Sequence, residues 1–330
     1  MSARNLRVLI VGASVAGPTA AYWFAKAGAN VTVIERFPKL RTNGQAIDIR
    51  TAGVTVMRKM PGMEAAVRAK TTQLEGISFV HEDGRPFAVM KATGNSNQQS
   101  LVSEYEIFRG DLSQILFDLT KDNKRIKYVF GEQVTSMLQN DDGPIKVEFA
   151  NGLPTSEFDL VVACDGATSR TRAMGLNCGV RDHIRTLNSW VAFFSIEEDL
   201  SEGSKMGRAY SAIGGRWLAI GTDPTGLTRA TLMGIKPRSD DDSALPFRLA
   251  AKQGDDALKR YIAKEFGGAG WKMDDILKGM MASEDFYATE IAQVKVPSLH
   301  KGRFVLVGDA GYVPGPTGTG TSLAMTGALC

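Results

Sequence analysis

Apolar and polar positions change period several times along this chain, and each change marks an element. In "RVLIV" the four residues Val8 to Val11 are a continuous apolar run that stops at Gly12, the pattern of a strand buried on both faces. An apolar helix is expected from Ala16 to about Ala27, with Pro18 tolerated in its first turn and Gly28 placed to close it. "NVTVIER" reads as a second, β-branched strand ending at Glu35. "GQAIDIRTAGVTVMR" reads as a loop entering a helix and "HEDGRPF" as a hairpin turn, while "EIFRGDLSQILFDLT" places Arg109 and Asp111 before an apolar-periodic helix. "FDLVVACDG" is another buried strand, ending at Cys164, Asp165 and Gly166. From about Asp182 to Val294 the texture changes. Short strands ("WVAFFSI", "RWLAIGT", "TRATLMGI") precede an amphipathic helix, "DDALKRYIAKEF", as in an α+β domain. The last segment, "KGRFVLVGDAGYVPGPTGTGTSLAMTGALC", returns to strand, glycine-rich turn and helix.

The first strand, helix and second strand form one βαβ unit of about 30 residues, the context in which a glycine motif acquires meaning. Gly12 permits the tight turn and Gly17 lets helix and strand pack closely, so that amides at the helix start face a pyrophosphate. Ser14 stands where the middle glycine of G-x-G-x-x-G is usual; its hydroxyl can donate to phosphate. Glu35 is placed to accept from ribose hydroxyls. Similar polar turns end two later strands, at Asp165-Gly166 and Gly308-Asp309, all at the edge where open α/β sheets bind ligands. A long ligand touched by the first and last segments of a chain fits FAD better than NAD.

Composition narrows the partners. Of the 330 residues 43% are apolar and 23% charged, and 39 basic against 36 acidic residues leave a net charge of +3. With no basic or aromatic-basic stripe, nucleic acid is not an expected partner. No apolar run approaches the ~20 residues of a membrane span, and the basic residues before Val8 lead into a strand rather than a leader peptide. Cys164, Cys178 and Cys330 form no CxxC pair, and His81, His183 and His300 lie far apart, so neither a disulfide framework nor a metal site is expected. These features suit a cytoplasmic protein, as a monomer or homodimer.

On these motifs the chain resembles the FAD-dependent aromatic hydroxylases of the para-hydroxybenzoate hydroxylase class, in particular the branch with the tetracycline-inactivating monooxygenases. The resemblance rests on Gly12-x-Ser14-x-x-Gly17 with Glu35 and Arg36, on "DGATSRTR" from Asp165, and on "GDAGYVPGPTGTG" from Gly308. It implies an α/β FAD-binding, Rossmann-type (glutathione-reductase-like) domain with an α+β substrate domain. The expected division is 1–181 and 295–330 for the FAD domain and 182–294 for the substrate domain. The resemblance further implies that Asp309 holds the ribityl chain, that Arg109 and Asp48 contact the flavin, and that Pro316, Gly318 and Gly320 belong to the glycine-rich turn beside it. Asp165 is implied to serve both flavin and nicotinamide contacts, and Arg41 to bind NADPH (or NADH). In such enzymes the reduced flavin and dioxygen form a flavin hydroperoxide that hydroxylates an electron-rich, aromatic or polyketide-like small molecule. No side chain is singled out as catalytic. Candidate substrate residues are Trp190, Phe193, Tyr210, Arg216, Trp217 and Met233.

The chain departs from the class at Tyr312, where histidine is common, and at Ser322, where asparagine is usual. The W-x-W-x-I-P signature of flavin halogenases is absent, but a reductase or epoxidase on the same scaffold remains an alternative. A second alternative is a non-catalytic flavin-binding remnant, because members of the class continue with further helices. On that reading Leu323, Met325 and Leu329 lack cover and the final helix frays.

Overall fold

Strand Arg7–Val11, which contains the apolar run, is the central strand of a six-stranded sheet. It pairs in parallel with Asn30–Glu35 on one side and Leu160–Ala163 on the other. Phe304–Leu306 and Ile126–Phe130 extend the parallel array outward. Val8 to Val11 are all apolar because both faces are covered. Val8 and Ile10 pack on the helix side, while Leu9 and Val11 pack on the side of a three-stranded meander, 134–158. The computed structural model describes residues 5–41, 44–72, 74–93, 95, 102–139, 143–237 and 242–330.

The two glycines of the first turn have the roles their spacing implies. Gly12 has φ +109°, and a Cβ on it would lie 2.5 Å from the Cys164 carbonyl oxygen. On Gly17 a Cβ would lie 1.8 Å from the Gly12 carbonyl oxygen, so only glycine lets the Ala16–Lys26 helix descend onto the strand.

The second layer is a seven-stranded sheet in the order 287–294, 184–196, 228–235, 216–222, 206–212, 76–80, 86–91. Its last two strands are the hairpin around Asp83-Gly84, from chain that the sequence reading assigned to the FAD domain. The boundary expected at 182 therefore needs correcting for Gly76–Lys91: strand Gly76–Val80 joins the sheet through a parallel pairing with Met206–Ala212. Helices Leu245–Lys252, Asp255–Phe266 and Met273–Ala282 cover one face of this sheet. Against them Ile184–Ile196 presents Trp190, Ala192, Phe194 and Ile196, the even positions of a period-two pattern. Trp190 stacks on Phe247 with centroids 5.4 Å apart, and it fits because position 234 has no side chain. A Cβ on Gly234 would sit 2.4 Å from the indole ring.

The final helix, Gly320–Leu329, is covered, against expectation. Met325 is fully buried among residues of the Ala52–Arg58 and Arg109–Asp118 helices, and Ala324 and Ala328 join the cluster around the first helix. Leu329 is partly buried, which leaves Leu323 exposed. The neighbours that the apolar pattern requires come from earlier in the chain. Among the described residues no helix is long and apolar enough to cross a membrane.

Introducing a methyl group with Gly234→Ala forces Trp190 out of its stack, and overpacking of this kind typically costs about 1–3 kcal/mol. Chemical denaturation should show a lower midpoint; an unchanged midpoint would contradict the packing described.

Candidate cofactor edge and substrate cavity

The polar turns meet at the C-terminal edge of the parallel sheet. Ala13 donates its amide to Glu35 Oε2 at 3.0 Å, and Phe37 donates to Oε1 at 3.1 Å, so the Glu35 carboxylate is held against the glycine turn. Arg109 opens the Arg109–Asp118 helix rather than preceding it. Its Nη2 donates to Ser14 Oγ at 3.2 Å, and its amide donates to the Gln45 carbonyl at 3.0 Å. Its stem passes Gly44, where a Cβ would stand 3.1 Å from the Arg109 Cβ. The Asp309 carboxylate is open to solvent at the cleft, though protein crowds round it. That desolvation raises its pKa, against the pull of the Arg109 charge, and no described residue donates a hydrogen bond to it.

Asp48 lies on the short ribbon formed by Ala46–Asp48 and Glu106–Phe108. Arg50 donates to its Oδ2 at 2.8 Å, and Oδ1 is buried without a partner. The open turn of Gly318 passes close by, since a Cβ there would lie 3.7 Å from Asp48 Oδ2. Around Gly320 nothing approaches a Cβ within 4 Å, and Pro316 is exposed. Arg36 and Arg41 are exposed at the rim and share the Phe37 ring, at 4.7 and 5.1 Å; Arg41 also reaches Tyr287 at 5.7 Å.

Asp165 requires a correction. The resemblance implies that its motif serves flavin and nicotinamide contacts, and here its carboxylate is held by its own loop. Ser169 Oγ donates to Oδ1 at 2.5 Å, and the Thr171 amide and hydroxyl donate to Oδ2 at 3.2 and 2.9 Å. Ser169 Oγ in turn caps the Arg170–Leu176 helix by accepting the Arg172 amide. Arg172, which the sequence reading gave no role, is fully buried and donates to the carbonyls of Ala310 (2.8 Å), Ala167 (2.9 Å) and Val180 (2.7 Å). The Tyr312 hydroxyl occupies the space left by Gly327, where a Cβ would be 1.8 Å away. It is buried without a partner, and burial pushes its pKa up to about 12.

Beside this edge lies a cavity of about 430 Å³ between the ribbon and the helix-free face of the seven-stranded sheet. Of the six candidate substrate residues Phe193 and Trp217 line it. Met233 shares their sheet face, paired with Trp217, but stands outside the lining. The other three candidates are corrected. Trp190 and Tyr210 point into the core against the helices, and Arg216 donates to the carbonyls of Ile213 and Gly267. Side-chain parity separates the two sets, because neighbouring residues of a strand face opposite sides.

That same parity would have found Arg229, which shares a face with Thr231 and Met233. Its guanidinium donates to Asp223 and Asp285, both at 2.8 Å, contacts Ser195 Oγ, and lies 4.8 Å over the Phe108 ring. Burial opposes the charge on Asp223, but hydrogen bonds from Thr225 and Arg229 outweigh it and lower the pKa.

The fold and this edge define a dinucleotide-binding flavoprotein. Unpartnered Asp309 and Asp48 Oδ1, the Arg109–Ser14 pair and the open Gly318–Gly320 turn suit the length and charge of FAD. Residues 5–213 match the family model for the FAD binding domain. The chain is 34% identical to the FAD-dependent monooxygenase asL4 of Sarocladium schorii, over 99% of this chain and 74% of that protein. It is 32% identical to the flavin-dependent monooxygenase eupH of Phoma sp, over 98% and 76%. The solved tetracycline destructase Tet(55) superposes with a TM-score of 0.82 at 31% identity, covering 99% of this chain and 80% of that one. The protein belongs to the FAD-dependent monooxygenases.

Truncating Arg109→Ala or Asp309→Ala removes a charge-assisted contact worth roughly 1.5–3 kcal/mol. Each should weaken FAD binding about tenfold or more in a fluorescence titration; wild-type affinity in both variants would show that this edge does not hold the cofactor.

Proposed function

We propose that this monooxygenase hydroxylates an aromatic or polyketide-like small molecule, with NADPH as electron donor. The observation that carries the reading is a shared wall. Gly44, Gln45 and Ala46 line the cavity, and Gly44 and Gln45 also touch Arg109 on the cofactor edge. A substrate in the cavity therefore lies next to the cofactor. The volume falls within the ~300–1,000 Å³ of small-molecule pockets. Its aromatic walls suit a flat, electron-rich ring, and the likeness to a tetracycline destructase supports a polycyclic one.

When reduced, FAD supplies electrons to dioxygen, so that one oxygen atom reaches the substrate and the other leaves as water. The chain's own residues bind and orient. Arg109, Ser14 and the amides after Gly12 neutralise the pyrophosphate, with Gly17 keeping the helix start close. Glu35 accepts from the adenosine ribose, with Arg36 beside it. Asp309 accepts from the ribityl hydroxyls, while Asp48 and the turn of Pro316, Gly318 and Gly320 border the flavin ring. Arg41, at the rim beside Tyr287, takes the nicotinamide nucleotide transiently, and a guanidinium there favours the phosphate of NADPH over NADH. Phe193 and Trp217 hold the substrate ring and keep water out. A cytoplasmic setting supplies NADPH and keeps Cys164, Cys178 and Cys330 as the free thiols they are here.

The test is NADPH consumption by the FAD-bound protein against a panel of phenols and polycyclic polyketides, with product analysis. The expected outcome is slow oxidation alone, faster oxidation with a ring compound, and a product heavier by one oxygen. Trp217→Ala should raise KM for that compound about tenfold, since a buried aromatic contributes roughly 1.5–3 kcal/mol. No compound accelerating NADPH oxidation would count against the proposed function.

A further inference from the structure

The cavity wall contains four carboxylates among its described residues: Glu106, Asp111, Asp223 and Asp285. Three of them are already neutralised. Lys70 pairs with Asp111 at 2.5 Å, and Arg229 bridges Asp223 and Asp285. Among the described residues Glu106 has no ion pair. Thr72 Oγ1 donates to its Oε2 at 2.5 Å, which fixes the carboxylate, and among the described residues Oε1 has no hydrogen-bond partner.

Its position is set by the ribbon. In an antiparallel pair, directly opposed residues project to the same face, and Glu106 is opposed to Asp48 as Phe108 is to Ala46. Glu106, Phe108 and Ala46 line the cavity, while Asp48 continues the same face toward the Gly318 turn. A carboxylate thus stands on the substrate side of the ribbon, next to the ring that carries Arg229, and one residue pair away from the cofactor edge.

We propose that Glu106 accepts the proton of a substrate hydroxyl in this cavity. The inference rests on the reading of the cavity as the substrate site. The substrate O–H bond breaks, the proton bonds to Glu106 Oε1, and the electron pair left on the substrate oxygen delocalises into the ring. The ring carbon is then a better nucleophile for the oxygen atom that the monooxygenase reaction delivers. Oxygen bonds to that carbon, whose own C–H proton is released as the ring regains aromaticity and goes to the oxygen atom that leaves as water; the proton held on Glu106 returns to the substrate oxygen, and the carboxylate is restored.

Electrostatics support this role. Desolvation raises the Glu106 pKa, Thr72 opposes the rise, and the nearby Asp48 charge adds to it while Arg50 subtracts. The Asp48 carboxyl is itself raised by desolvation, with Arg50 opposing. A carboxylate moved toward neutrality is a stronger base for a phenol than an exposed glutamate. The other charged groups facing the cavity are Asp111, Arg208, Asp223, Arg229 and Asp285, and all five lie in ion pairs, Arg208 with Glu202 at 3.8 Å.

The test compares 2-naphthol with its methyl ether as ligands of the FAD-bound protein, read by calorimetry and by the absorbance change of the bound flavin. A hydroxyl donating to an ionised carboxylate should make 2-naphthol bind about tenfold more tightly than the ether. Glu106→Gln, checked for unchanged FAD content and Tm, should bring the two affinities together. In the wild type the preference should shrink as pH falls and Glu106 takes up a proton, starting at a higher pH than for an ordinary glutamate. This measurement needs no variant. A preference that survives Glu106→Gln, or a wild-type preference that is absent or independent of pH, overturns the inference and leaves the monooxygenase assignment standing. If neither naphthalene binds, the aromatic reading of the cavity falls, and this inference with it.

Discussion

The arrangement depends on one buried cation. Arg172 lies with no exposed surface and donates to three backbone carbonyls, from Ala167, Val180 and Ala310. A guanidinium taken out of water must be satisfied by such acceptors, and each bond to a charged donor is worth roughly 1.5–3 kcal/mol. The acceptors come from the loop after the Leu160–Ala163 strand (Ala167), from the segment after the Arg170–Leu176 helix (Val180) and from the turn that carries Asp309 (Ala310). The middle and last thirds of the chain are thereby locked side by side at one sheet edge. With Gly12 against Cys164 on the other side, the three strand ends converge.

That convergence explains why the Asp165 carboxylate is engaged by its own loop. A loop that must wrap a buried arginine needs internal acceptors, and the Asp165 carboxylate takes Ser169 and Thr171 to build it. Asp309 has the opposite environment. It stands in the cleft without a donor among the described residues, so its hydrogen-bonding capacity is open to a polyhydroxylated chain. Two aspartates in similar Gly-Asp or Asp-Gly sequences thus have different work, and the difference is decided by what surrounds them.

The cavity follows the same logic in the second layer. Helices cover one face of the seven-stranded sheet and leave the other to line the cavity, so alternate residues of each strand serve the core and the cavity wall. Trp190 belongs to the first set and Phe193 to the second. Ion pairing within the cavity then discriminates further. Arg229 balances Asp223 and Asp285, whereas Glu106 accepts from the neutral Thr72 hydroxyl.

The first βαβ unit was legible in the sequence because its signals are local. Apolar period, Gly12, Gly17 and Glu35 depend on steric contacts within a few turns of chain, and the structure places them as read. The strands of the second layer were legible for the same reason. Their faces could have been separated by parity alone. Other features have no local signature. That Gly76–Lys91 leaves the first layer for the second, that Met325 finds cover from helices formed early in the chain, and that Arg172 is buried are consequences of long-range packing. Residue type and spacing determined which groups can bind a dinucleotide. Only the tertiary structure decided which of them remain free to do so, because a carboxylate's availability depends on every donor that folding brings within hydrogen-bond reach.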